Sequence, residues 1–285
     1  MPHVSLPDGG SLFFTDDGAG PAVLFVHGWA CDGSDGAWLQ EDLVRDHRVV
    51  TVDLRGHGRS PGPAVSPEEM ASDLAHLMHG LGLGPALVVG HSMGAIVSSV
   101  LAAEHPDAVA ALVLIDPVFI ADDSPLIPTL DALRPGSPVD PHEFARRVWR
   151  GFATTRTPRW LPVWHRRRVL GTDADVVRDA FLGLYDGRSG AGRRRTAQSR
   201  LRTIAAPVLA VYADQGAEVA EWHRSVVADN SRGNAHVIDV WRGHGHFLHQ
   251  EDPERFAAQL RAWLGPIEPV AGPAAPADTP TSARE

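Results

Sequence analysis

One pentapeptide constrains the fold of this chain more than any other feature: the sequence GHSMG at residues 90–94. The apolar run at 86–89 predicts a buried strand before it, and the apolar run at 95–103 predicts a buried helix after it. A turn from strand to helix within so few residues is very sharp, and it needs small residues two positions before and two after the serine. Such a turn lifts the Ser92 hydroxyl out of the sheet edge and directs a helix N-terminus at charge that develops there. The pattern therefore predicts a nucleophile elbow with Ser92 at its tip.

Strand and helix patterns alternate through most of the 285 residues. A capping box of Ser66 and Glu69, with Pro67 at the first helical position, predicts the start of one helix, and residues 253–264 predict a closing helix. Apolar strands that alternate with helices indicate a mostly parallel, doubly wound α/β sheet with helices on both faces. Strand patterns lie at residues 11–15, 22–26, 48–52, 86–89, 109–115, 208–212 and 235–240.

Residues 121–203 interrupt this alternation, because they contain helical patterns but none typical of a strand. We interpret them as a helical lid inserted between two core segments, 1–120 and 204–265. The lid segment contains 16 arginines and 9 acidic residues, whereas the whole chain carries a net charge of −9. A basic lid over an acidic body can hold itself shut by ion pairs or attract an anionic substrate. A solvated arginine-rich surface is the simpler interpretation, and we favour it.

Composition excludes several classes of function. All 26 cationic residues are arginine, which rules out a Schiff base, a pyridoxal phosphate anchor and a P-loop lysine. The net charge and the lack of a dominant basic block argue against a nucleic-acid partner. The single cysteine, Cys31, cannot form an internal disulfide, which is typical of a reducing compartment.

The ends and the hydropathy of the chain point to a cytoplasmic location. The first residues lack the basic start and apolar stretch of a signal peptide, and no apolar run is long enough to span a bilayer. We therefore expect a soluble protein without a membrane association. The tail at 266–285 is rich in Pro and Ala and is predicted to be disordered. Nothing in the sequence indicates an oligomeric state.

Several motifs occur in a fixed order: His27-Gly28-Trp29, a glycine-rich loop at 53–60, the elbow, the lid segment and Gly245-His246-Phe247. Together they resemble the serine-nucleophile α/β-hydrolase family, over roughly residues 10–264. The resemblance implies the α/β-hydrolase fold, with Ser92 as nucleophile and His246 as the base that a neutral hydroxyl needs. Two further histidines, His244 and His249, raise the alternative of a metal site, but no acid–histidine spacing here is typical of zinc enzymes, and we expect no metal.

The acid of the implied catalytic triad departs from the family pattern. The usual acid follows the strand after the lid, three residues beyond a glycine; if Ala213 replaces that glycine, Gly216 occupies the acid position and Asp214 comes too early. Some relatives, including certain haloalkane dehalogenases and cofactor-free quinolone dioxygenases, take the acid from the end of the strand after the nucleophile helix, where this chain has Asp116. Either carboxylate can orient the imidazole and stabilise its charged form. We favour Asp116 and keep Asp214 as the alternative, while a turn or helix-capping role before Pro117 competes for Asp116.

The resemblance also implies an oxyanion hole made of the backbone N–H groups of Trp29 and Met93, each worth roughly 3 kcal/mol of barrier. We expect hydrolysis of an ester, thioester or lactone through an acyl-enzyme, without a cofactor, on a small apolar or aromatic acyl substrate. Two alternatives remain: cofactor-independent His–Asp base chemistry, such as oxygenation or carbon–carbon bond cleavage, and non-catalytic ligand binding. Lid tryptophans can line the pocket or form lid core: Trp149, Trp160 and Trp164. Residues expected to brace loops are His27, Asp53, Arg55, His57 and His91.

Overall fold

A computed structural model describes residues 2–187, 189–228 and 236–265 of the chain, and the predicted disordered tail lies outside them. Within these ranges, eight strands form one sheet in the order β1-β2-β4-β3-β5-β6-β7-β8. The pairs β1/β2 and β2/β4 are antiparallel and the other five are parallel, so the predicted mostly parallel sheet is confirmed. The strands are β1 His3–Ser5, β2 Ser11–Gly18, β3 Ala22–Val26, β4 Arg48–Val52, β5 Ala86–His91, β6 Val109–Ile115, β7 Val208–Ala213 and β8 His236–Trp241.

Helices cover both faces of the sheet. The capping box that starts α2 is present: Ser66 Oγ accepts from Glu69 N at 3.2 Å, and Glu69 Oε2 accepts from Ser66 N at 2.9 Å. The sequence patterns did not predict β1, α1 or α9. The helices are α1 Ala37–Leu43, α2 Pro67–Gly80, α3 Met93–Glu104, α4 Ile127–Asp131, α5 Pro141–Gly151, α6 Leu161–Gly171, α7 Ala174–Tyr185, α8 Arg194–Thr203, α9 Ala217–Val227, α10 Leu248–Glu251 and α11 Pro253–Leu264.

The central strands are buried on both faces, which explains why their sequences are apolar without alternation. On β5, Val88 belongs to the core on one side of the sheet and Val89 to the core on the other. Both are fully buried, and burying a valine contributes about 1.5–3 kcal/mol. The sheet therefore separates two apolar cores, one on each of its faces.

The segment predicted as a lid contains α4 to α8, and in its described part the only strand-like pairing is an isolated bridge between Ile120 and Arg193. Aromatic side chains of α5 and α7 pack against Trp29 of the core: Phe144, Trp149 and Phe181. A buried ion pair between Arg168 of α6 and Asp35 also ties this segment to the core. No helix in the described ranges combines the length and apolar character needed to cross a membrane.

Candidate active site

The turn between β5 and α3 has the geometry that the pentapeptide predicts. Ser92 has φ 53° and ψ −115°, a conformation that costs a non-glycine residue about 1–3 kcal/mol. A Cβ on Gly90 would lie 2.5 Å from the carbonyl oxygen of Gly94. A Cβ on Gly94 would overlap the carbonyl oxygens of Val26 and His27. Both glycines are therefore required by close backbone packing, and the serine hydroxyl stands at the sheet edge.

Three of the candidate residues meet in one line of hydrogen bonds. Ser92 Oγ lies 2.8 Å from His246 Nε2, and His246 Nδ1 lies 2.6 Å from Asp116 Oδ2. The three residues follow β5, β6 and β8, which are parallel, so their carboxyl ends lie at the same edge of the sheet. The structure thus brings together a hydroxyl, an imidazole and a carboxylate from distant parts of the sequence.

Asp116 is held in place by the neighbouring strand end. Its Oδ1 accepts a hydrogen bond from Ala213 N at 2.9 Å, and its φ is 42°, in the left-handed region that aspartate tolerates better than most residues. A Cβ on Gly216 would lie 2.7 Å from Asp116 Oδ1. The glycine at the family's usual acid position therefore leaves the space that the Asp116 carboxylate needs.

The alternative acid lies elsewhere. Asp214 accepts hydrogen bonds from Arg242 Nη1 at 3.0 Å and from Gly243 N at 3.2 Å. These bonds, the one from Arg242 first, lower the pKa of the Asp214 carboxyl group. Its side chain is 42% exposed, and within the described residues it makes no hydrogen bond with His246. The structure does not bring Asp214 into the line of bonds.

Two contacts that the sequence did not reveal hold the His246 segment. The ring of Phe152 stacks on the His246 ring with centroids 4.3 Å apart. Glu251 accepts from Gly245 N at 2.8 Å and from Thr157 Oγ1 at 2.7 Å. Phe152 and Thr157 belong to the lid segment, and Glu251 lies six residues after Gly245. No local motif could therefore have indicated these contacts.

The other histidines of the segment have no role in this line. His244 Nδ1 lies 3.2 Å from the carbonyl oxygen of Arg242. His249 is buried, its ring nitrogens have no hydrogen-bond partner among the described groups, and burial lowers its pKa to about 3. In the part of the chain that the structure describes, no three His, Cys, Asp or Glu residues are grouped to hold a metal ion.

The segment after β3 lies directly against the elbow. A Cβ on Gly28 would lie 3.3 Å from Ser92 Cβ, which places the backbone before Trp29 beside the serine. Leu54 N donates to His27 Nε2 at 2.9 Å, so Nδ1 carries the proton and donates to the Gly28 carbonyl at 2.7 Å. Burial lowers the His27 pKa to about 4, which favours this neutral form. His27 therefore braces the segment that carries one predicted oxyanion donor.

The second predicted donor, the N–H of Met93, lies in the first turn of α3, where no intrahelical acceptor is available. The Trp29 side chain donates from Nε1 to the carbonyl of Val177 at 2.7 Å and so fixes this residue to the lid segment. Both predicted donors thus belong to backbone segments next to Ser92.

A cavity of about 70 Å³ adjoins the serine and the imidazole. It is smaller than the roughly 300–1,000 Å³ typical of ligand pockets, so in this conformation it admits only a small group. Among the described residues, no Arg, Asp or Glu lines it. Trp149 lines the cavity, whereas Trp160 and Trp164 lie exposed on the outer surface. Its main apolar walls are Trp29, Trp149, Phe152, Phe181, Tyr185 and Phe247.

The chain belongs to the Alpha/beta hydrolase family, whose sequence profile matches residues 23–259. Among known structures, an esterase from Exiguobacterium antarcticum superposes with a TM-score of 0.78 at 21% identity, over 92% of this chain and 98% of that chain. A thermophilic esterase from Thermogutta terrifontis superposes with a TM-score of 0.76 at 26% identity, over 93% and 98% of the two chains. The predicted α/β-hydrolase fold is confirmed.

Local similarity to characterised proteins is higher. Lipase LipV of Mycobacterium tuberculosis is 43% identical over 117 residues, 40% of this chain and 44% of that protein. The sn-1-specific diacylglycerol lipase ABHD11 of Mus musculus is 42% identical over 99 residues, 34% of this chain and 32% of that protein. The matched segments thus span less than half the length of these relatives. The family and its named members support a hydrolase.

Proposed function

We propose that the protein hydrolyses a carboxylic ester, thioester or lactone through an acyl-enzyme, with Ser92, His246 and Asp116 as catalytic triad. The observation that carries the proposal is the continuous hydrogen-bonded line from Ser92 Oγ to Asp116 Oδ2, beside an apolar cavity. The relatives named as lipases, and a methyl ester esterase of Chromobacterium violaceum that is 37% identical over 116 residues, support an ester as substrate.

The geometry gives each group a role. His246 Nε2 accepts the Ser92 proton as Oγ attacks the carbonyl carbon, and Asp116 holds Nδ1–H and stabilises the imidazolium. The N–H groups of Trp29 and Met93 stabilise the developing oxyanion. The imidazolium then protonates the leaving alcohol or thiol. Water attacks the acyl-enzyme with His246 as base, which releases the acid and restores the serine hydroxyl.

The cavity restricts the substrate. Its apolar and aromatic walls favour a small apolar or aromatic acyl group, and the lack of a charged lining residue disfavours an ionised group beside the serine. Larger substrates require movement of α5 and α7, which supply Trp149 and Phe181 to the wall. The mechanism uses no metal or organic cofactor.

A base mechanism without acylation is the competing function, because it needs only the His246–Asp116 pair. The Ser92 hydroxyl, 2.8 Å from Nε2, favours nucleophilic attack instead. A non-catalytic role leaves the strained Ser92 backbone without an explanation, since strain of this kind clusters at functional sites.

Covalent labelling separates these functions. We expect a fluorophosphonate probe to label Ser92, located by mass mapping, and Ser92→Ala to lower turnover of an aryl ester panel by about 10⁴-fold or more. Ser98→Ala is the matched control, since Ser98 is a buried serine of the same helix without a hydrogen-bond partner among the described groups. Near-normal turnover by Ser92→Ala would rule out the acyl-enzyme and favour the base mechanism.

A further inference from the structure

Helix α6 of the lid segment is apolar on two opposite faces. Its inner face buries Leu161 and Val169, and its outer face exposes Val163 (71%) and Leu170 (50%). The described residues cover this outer face only in part: the Trp38 ring packs beside Trp160, and the Arg168 guanidinium lies over the Trp164 ring, yet both tryptophans remain about two-fifths exposed. Exposed apolar surface of this kind marks a site of contact with another molecule or with a membrane.

The exposed apolar side chains form one continuous surface. Positions 160, 163, 164, 167 and 170 are spaced by three or four residues, so they share one side of the helix. The ring of Trp38, on α1 of the core, packs beside Trp160 with centroids 5.7 Å apart and extends the surface beyond the lid segment. We call this surface the α6 patch: Trp38, Trp160, Val163, Trp164 and Leu170, all exposed.

Unpaired cations accompany the patch. Arg167 lies within the exposed stripe, and Arg159 and Arg166 lie along one border of it. All three are exposed, and none forms an ion pair with a described residue. The sequence from 144 to 172 contains no Asp or Glu, although the chain as a whole carries a charge of −9. The patch is therefore a local basic and aromatic region on an acidic protein.

We propose that the α6 patch docks the protein onto an anionic lipid surface. Tryptophan side chains settle at the level of lipid headgroups because they are apolar with one polar N–H, and arginines beside them attract anionic headgroups. A second copy of the chain is a poorer occupant, since a two-fold contact would bring the three arginines against their own equivalents.

This attachment goes beyond the proposed chemistry and revises the expectation, drawn from the sequence, of no membrane association. That expectation rested on the lack of a segment long enough to span a bilayer. A protein can lie on a bilayer through a single face that is apolar and bordered by cations. The patch and the candidate site lie on opposite sides of α6: His165 on the inner face packs on Phe247, with ring centroids 3.8 Å apart, and Phe247 lines the cavity. Docking would place the lid against the phase in which apolar esters dissolve.

Vesicle co-sedimentation tests the proposal. We expect the full chain to pellet with phosphatidylcholine vesicles that contain phosphatidylglycerol, less with phosphatidylcholine alone, and less at high salt. Charge reversal in Arg166→Glu/Arg167→Glu should weaken the partition coefficient by about tenfold or more, and Val163→Ser/Trp164→Ser should weaken it at both salt concentrations. Ser92→Ala should bind like the wild type, so failure to bind is distinguishable from failure of the proposed hydrolysis.

Matched controls carry the same changes elsewhere. Arg195→Glu/Arg255→Glu reverses two exposed arginines without ion pairs on α8 and α11, and Val237→Ser removes an exposed valine from β8. Both should bind as the wild type does. The proposal is overturned if the wild type ignores anionic vesicles, or if the patch variants bind like the controls. A wild-type dimer in sedimentation velocity that the patch variants abolish, without vesicle binding, would also overturn it and make a second copy the occupant.

Discussion

Two neighbouring strands, β6 and β7, are each followed by an aspartate, and the two carboxylates have different surroundings. Asp116 after β6 is 6% exposed, and its two oxygens bond to His246 Nδ1 and Ala213 N. Asp214 after β7 is exposed to solvent and bonds to Arg242 and to the backbone of Gly243. The two strands pair in parallel, so the carboxylates share one edge of the sheet.

The difference teaches that a role in the site is defined by position in space and not by the order of motifs along the chain. In the proposed triad the acid comes from the earlier strand, and Gly216, at the usual position, leaves room for its carboxylate. Asp116 also adopts a positive φ, as Ser92 does, so both residues combine strain with a precise orientation. The proposed acid role of Asp116 therefore depends on two positions: the aspartate at 116 and the glycine at 216.

The largest expected effect contrasts the two aspartates directly. Asp116→Asn should lower kcat on an aryl ester by about 10⁴-fold, because an asparagine beside Nδ1 neither holds the productive tautomer nor stabilises the imidazolium. Asp214→Asn should change kcat by less than about twofold, since its partners belong to a surface loop. Steady-state kinetics on both variants makes the measurement.

Circular dichroism and thermal melting of both variants provide the control for folding. The opposite ranking of kcat would transfer the acid role to Asp214. Mild and equal losses would show that neither carboxylate partners His246 in catalysis.

The sequence predicts the central strands well, because they are apolar runs long enough to be recognised without their neighbours. Helices α1 and α9 were not predicted, since their exposed residues dilute the apolar pattern, and the three-residue β1 is too short to show one. Fold prediction therefore succeeded where burial on both faces leaves little choice of residue type.

In the candidate site, too, some residues could be predicted from local sequence and others only from the folded chain. The positions of Ser92 and His246 follow from motifs that lie within a few residues of them. Asp116 could be proposed only because the usual acid position held a glycine. The stacking of Phe152 on His246 joins residues that are far apart in sequence, so only the folded lid segment shows it.

A second prediction concerns the space beside Asp116. Gly216→Ala should lower kcat by about 10²-fold, because the new Cβ would lie 2.7 Å from Oδ1 and displace the carboxylate from Nδ1. KM should change less, since Gly216 does not line the cavity. Gly80→Ala is the matched control, because a Cβ there meets no atom within 4 Å. Equal kinetics for the two variants would mean that the carboxylate does not depend on this space.

A smaller effect is expected from returning the acid to the usual strand. Starting from Asp116→Ala, the added change Gly216→Asp should recover about tenfold in kcat, since the truncation frees the space that a side chain at position 216 needs and the new carboxylate starts from backbone adjacent to it. Asp116→Ala/Gly216→Asn is the matched control for size without charge. If the aspartate and asparagine double variants have the same kcat, position 216 does not reach His246.

The smallest difference between the two aspartate variants is expected in the acid dependence of their stability, because both variants keep the same buried histidines. Burial lowers the pKa of His249 to about 3, from 6.5 in the unfolded chain. As pH falls below 6.5 the unfolded state binds this proton first, so stability present above that pH is lost progressively toward the folded pKa. At about pH 5 the loss from this one group is on the order of 2 kcal/mol.

We expect the melting temperature of the wild type and of both aspartate variants to fall in parallel between about pH 8 and pH 5, and that of His249→Phe to fall less. A His249→Phe profile as steep as the wild type would assign the acid sensitivity to other groups, and divergent profiles for the two aspartate variants would show that one carboxylate also contributes to it.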